Sequence, residues 1–229
     1  MELQWYQHIR LYLILSCCNY FLAEVALQQA LESLAVANLG MNLILPLFTT
    51  SGVFILGAYF KLQSFLFMPL YGMNNAIVPI ISFNYGARKK SRITGTIRFA
   101  LALTIGMMAV GTAVMMALPG PLLGIFDAGE GVLAESIPAL RMIALSFLCA
   151  GLSIILCSAL QALGSANSSL VISLLRQVAL LFPAALVLGA IRPGLVWMAF
   201  PAAELMACAV ALLLCRNVLR RRLDGMEED

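Results

Sequence analysis

The sequence predicts an all-α integral membrane protein with six transmembrane helices, on three observations. The chain is 62% hydrophobic and only 11% charged over 229 residues, whereas soluble domains carry about 25% charge. Its apolar residues come in runs of span length, about 20 residues, bounded by turn signals. Most of its lysines and arginines lie in three places that fall on one side of the membrane if there are six spans, with few, such as Arg192, on the other.

The residues at 1–22 read as an atypical N-terminal segment, an interfacial helix, because the apolar run from 11 to 48 is too long for one span and has no turn for two. The six spans then occupy 23–218. Span one covers roughly 23–47, ending at Pro46 and the turn Thr49-Thr50-Ser51-Gly52. Span two covers 53–83; 31 residues at 1.5 Å each give about 46 Å, longer than the hydrocarbon core, so this helix is expected to tilt, kink or protrude. Spans three and four are the charge-free runs 99–118 and 142–160. Span five, 170–191, carries only Arg176, and span six, 195–215, carries only Glu204. Residues 219–229 form a tail.

The basic clusters orient the chain. Arg10 precedes span one; Arg88, Lys89, Lys90, Arg92 and Arg98 lie between spans two and three; Arg216, Arg220, Arg221 and Arg222 follow span six. An even number of spans puts all three groups and both termini in the cytoplasm. The opposite face has the uncharged turn and an acidic connection with Asp127, Glu130 and Glu135. Localisation in the cell membrane, inner or plasma, follows as an expectation.

Several functions are disfavoured. A net charge of +3 offers no case for nucleic acid. The single histidine, His8, leaves no histidine-based metal site, and no cofactor is expected. No HExxH, GxSxG or phosphate-cradling loop supports an enzyme. The cysteines, with no CxxC pair, read as small hydrophobes within helices, and the methionines, such as Met107 and Met108, as packing or lipid-facing residues.

Span two is the unusual element. The stretch FMPLYGMNNAIVPIISFNYGARKK, 67–90, breaks an apolar helix with Pro69 and Pro79 and inserts Asn74 and Asn75 between them. Proline removes a backbone hydrogen bond, and in lipid the freed carbonyl is costly unless protein or a water-filled cavity satisfies it. The pattern predicts a bent helix packed against other helices, either as a structural kink or as the wall of a cavity that changes shape.

The segment KLQSFLFMPLYGMNNAIVPIISFNYGARKKSRI, together with ALRMIALSF, SALQALGSANSSLVISLLRQ and GLVWMAFPAAEL, resembles the second lobe of multidrug and toxic compound extrusion (MATE) transporters. The likeness covers roughly 25–220. It implies half of a cation-coupled antiporter, driven by H+ or Na+, that exports small organic cations, with a second six-span lobe supplied by a separate chain or by a homodimer. A truncated fragment that does not transport, or a protein like the lipid-linked sugar flippases, are the alternatives. Charges within spans are costly and mark functional candidates. Glu32, with Asn38 nearby, lies where some sodium-coupled members keep an acidic cation ligand. Those members also have an acidic residue on the fourth helix, where this chain has Gln161, which weakens a sodium site and raises the proton. Arg176, Gln177 and Glu204 occupy family-like positions on spans five and six, Arg176 being expected to pair with an internal carboxylate or backbone carbonyls. With Asn74 and Asn75, these residues complete the candidates for cation coupling or substrate binding.

Overall fold

The computed structural model describes residues 35–126, 129–224 and 226. They are helical, with no strand among them. Residues 1–34, including the N-terminal segment and Glu32, lie outside the described residues, so span one is seen in part: α1 (Ala35–Ile44) closes in a 3-10 turn, Leu45–Leu47. Gly40 lets α1 approach the fifth span, for a Cβ there would stand 2.1 Å from the Phe182 ring.

The next elements follow the apolar runs but extend past them. Helix α2 (Gly52–Gly86) is one 35-residue element that continues through Pro69 and Pro79. Helix α3 (Lys90–Ala117) returns across the membrane. The tight connection has Arg88 at φ 57°, and the Lys89 amide donates to the Asn84 carbonyl.

The connection expected as a loop before span four is instead helical. It forms α4 (Pro119–Gly124) and α5 (Glu130–Ala144), then α6 (Phe147–Ala162). The expected span four, 142–160, is thus divided between the end of α5 and most of α6. The two helices meet at 42°. The break is local chemistry. Ser146 Oγ donates to the Ile143 carbonyl at 2.7 Å, and the Leu145 and Ser146 amides close i→i−3 bonds; such side-chain competition with the helix ladder bends helices.

Span five is a continuous helical rod, Ala166–Ile191. It comprises α7 (Ala166–Leu174), a π-helical turn (Leu175–Leu180) and α8 (Leu181–Ile191). Span six opens with a 3-10 turn, Pro193–Met198, and continues as α9 (Ala199–Leu223), beyond the expected lobe end at 218. Among the described residues four elements are each long and apolar enough to cross a membrane, and there are five if the bent pair α5–α6 counts as one span.

Helix α6 is the hub. It packs against α2, α3, α7 and α9, and nearly all its residues are buried. Its small residues allow close approach: a Cβ at Gly151 would stand 2.6 Å from Met108 Cγ on α3, the small-residue contact that brings membrane helices together. Met108 and Met115 are buried, and Met107 and Met116 pack on the core, so this set is packing.

Polar staples hold the two ends. Thr49 donates to the Glu135 carboxylate, tying the uncharged turn to α5. At the other end Ser82 Oγ donates to the Ala162 carbonyl at 3.2 Å. Lys61 needs no carboxylate: its ammonium lies 5.5 Å from the centre of the Phe126 ring, a cation–π contact.

Candidate functional site

Tyr59, Gln63, Phe67 and Tyr71 recur every four residues and share one face of α2. That face meets the π-helical turn and α9 around a cavity of about 50 Å³. Aromatic rings wall it. Tyr59 stands edge-on to Phe200 at 5.4 Å, and Phe67 edge-on to Phe147 at 5.4 Å.

Two opposite charges meet there. Arg176 Nε lies 3.7 Å from Glu204 Oε1, with the side chains 8% and 18% exposed. Both also line the cavity, as does Gln177. The pairing with an internal carboxylate is the first of the two expected for Arg176. Arg176 and Gln177 both lie in the π-turn that begins at Leu175, and both are buried there. π-Turns are rare and recur at functional sites.

The amide oxygens Gln63 Oε1 and Gln177 Oε1 are buried without a hydrogen-bond partner. Such acceptors cost about 1–3 kcal/mol each when left unmet, so the space suits a water or a proton-bearing group. Ligand pockets for drug-sized molecules span about 300–1,000 Å³, and this one is far smaller. A larger apolar groove opens between α2 and α3, lined by Phe65, Pro69, Leu103, Gly106 and Met107; its lining has no charged side chain to select an ion.

The other candidates stand elsewhere. Asn38 accepts from Asn42 Nδ2 within α1. Asn74 is half-buried with its Oδ1 lacking a hydrogen-bond partner, and Asn75 is exposed. Gln161 is buried in α6. None of these four lines the cavity. The sequence reading missed Gln63, Tyr59 and Tyr71; their four-residue spacing was the available signal.

Fold and site together define an all-α membrane lobe of the transporter type, with a charged pair inside it. The MatE family model matches residues 25–187, and the chain belongs to the MATE family. Among curated relatives it is similar to the multidrug export protein MepA of Staphylococcus saprophyticus, 24% identical over 192 residues, covering 83% of this chain and 42% of MepA. MepA of Staphylococcus aureus strain N315 is 26% identical over 189 residues, covering 81% and 41%. The fold is similar to an outward-facing multidrug resistance MATE family transporter of the MOP superfamily, TM-score 0.82 at 17% identity, over 89% of this chain and 46% of that one. It also matches the bent form of VcmN of Vibrio cholerae, TM-score 0.79 at 20% identity, over 87% and 45%. The chain thus spans less than half the length of these relatives.

Proposed function

We propose that this lobe is one half of a cation-coupled exporter of small organic, cationic compounds. The buried Arg176–Glu204 pair carries the reading. A charged pair at a cavity too small for a drug is suited to sensing the coupling ion, while the substrate binds between lobes. Of the two ions, the proton fits better. Arg176 already supplies a cation 3.7 Å from the carboxylate, so a sodium ion would meet like charge, whereas a proton neutralises Glu204 and releases Arg176. A ligand shifts a two-state equilibrium only by its differential affinity for the states, and the broken pair supplies that difference.

The second lobe would cover the outer stripe of α2. Phe65, Met68, Gly72, Asn75, Pro79 and Phe83 follow one another at helical spacing, and all are exposed. Pro69 and Pro79 lack amides, so the Phe65 and Asn75 carbonyls lose their helical donors. Bare carbonyls and an exposed asparagine are unfavourable against lipid, and a water-filled space between two lobes satisfies them. The lobe resides in the cell membrane with both termini cytoplasmic, as the Lys/Arg distribution indicates.

The test is dye export from proteoliposomes holding this chain and a six-span MATE first lobe. A proton gradient should drive export, and Glu204→Gln should weaken it roughly 5- to 150-fold, the usual span of a coupling free energy. Export driven equally by sodium alone, or untouched in a folded Glu204→Gln protein, refutes the coupling role.

A further inference from the structure

The basic end of the lobe has a second use. Five basic residues lie in 88–98 and four in 216–222, and the fold brings both segments to one end. Arg222 Nη1 donates to Tyr85 Oη at 3.4 Å, tying the end of α9 to the end of α2. Leu223 is 3% exposed, so the last turn of α9 is anchored rather than loose. The described carboxylate at this end is Asp224; Glu227, Glu228 and Asp229 follow it in the sequence, outside the described residues.

Two of the arginines do not sit at the tips. Arg98 is eight residues into α3 and Arg216 seven residues before Leu223, about 12 and 10 Å along their helices. Helix α3, at 28 residues, is about 42 Å long against a hydrocarbon core of about 30 Å. With the overhang of about 12 Å at this basic end, Arg98 would stand at the hydrocarbon boundary and Arg216 close to it, and both are exposed. Their flanks are apolar and exposed as well: Phe99 is 70% and Leu213 63% exposed. Guanidinium beside bare apolar surface, at that depth, matches a phosphate ester joined to acyl chains. A soluble acidic protein would meet the tip arginines but not these two.

We propose that this end binds anionic phospholipid headgroups, Arg98 and Arg216 taking the phosphates at the boundary and the tip residues enlarging the attraction. Arginine suits the task because its planar fork holds phosphate through two parallel donors. The inference rests on the membrane fold and not on the transport reading.

The full chain, reconstituted in equimolar phosphatidylglycerol and phosphatidylcholine, is extracted in mild detergent and its retained lipids are counted by native mass spectrometry. Phosphatidylglycerol should be favoured, and the preference should fall about fivefold per arginine removed in Arg98→Gln and Arg216→Gln. Arg98→Lys with Arg216→Lys should keep part of it, and Arg192→Gln, at the opposite end, should keep all of it. If the glutamine variants do not fold, the exposed tail pair Arg220→Gln and Arg221→Gln gives the same reading at smaller size. Equal retention of the two lipids by the wild-type chain overturns the proposal, as does an unchanged preference in the folded glutamine variants. Displacement of phosphatidylglycerol by added inorganic phosphate overturns it too, because the site would then take a free anion.

Discussion

At the residue scale, the Arg176–Glu204 pair concentrates the chemistry of the lobe. Each partner would be costly alone in this setting, because a buried charge without its counterion loses its hydration and gains nothing. Glu204→Gln leaves Arg176 without its carboxylate and should destabilise the lobe by about 3–5 kcal/mol. Arg176→Met combined with Glu204→Gln should recover much of that loss. Denaturant titration of the four proteins in one detergent measures the coupling; strictly additive losses would show that the pair does not interact. Much of this site was legible in the sequence. Arg176 and Glu204 stood out because a charge in an apolar span is expensive, and Gln177 stood out through the resemblance of SLLRQ to the family. Gln63 did not, since composition gives no facing for a neutral polar residue. Its role depends on the π-turn whose Arg176 and Gln177 line the same cavity, and no periodicity in SLLRQ announces such a turn.

At the element scale, α6 organises the packing. Its contact with α3 at Gly151 leaves no room for a side chain, since a Cβ there would meet Met108 Cγ at 2.6 Å and Thr104 Cγ2 at 2.8 Å. Gly151→Val should therefore cost about 1–3 kcal/mol through overpacking. Gly106, on the open side of α3 with nothing within 4 Å of its Cβ position, should accept alanine with little change. Thermal unfolding of the two variants side by side decides it, and equal midpoints would remove the close contact from the account. The long apolar runs made most helices readable before any coordinates. The break before Phe147 was hidden, because the serine that makes it lies inside an apolar run and acts through a bond to Ile143. Helix α5 was hidden for a different reason: Glu135 and Arg141 interrupt its apolar pattern, and its ends meet α6 at an angle rather than in line.

At the scale of the whole molecule, charge and cover set the arrangement. The Lys/Arg bias predicts that residues 88–98 and the C-terminal tail face the cytoplasm. In a background freed of native cysteines, Arg92→Cys and Arg221→Cys should resist an impermeant thiol reagent in intact cells and react after lysis. Labelling of either from outside reverses the orientation. The parity of six spans and the positions of the basic clusters were separate readings of the sequence, and the staples agree with them, Thr49–Glu135 joining the segments assigned to one face and Ser82–Ala162 those assigned to the other. What the sequence could not convey was which side of α2 stays uncovered. That depends on how the other helices pack, and it leaves Gly72, Asn75 and Pro79 on the outer surface.

The central claim is that this lobe transports only when a second lobe covers that surface. Dye efflux from cells expressing the chain alone, with cross-linking through a cysteine placed at Asn75, tests it most directly. The account predicts no efflux from the monomer, and efflux restored when a six-span first lobe is co-expressed or when the chain cross-links to a second copy. Efflux that depends on Glu204, from a protein shown to be monomeric, would contradict it.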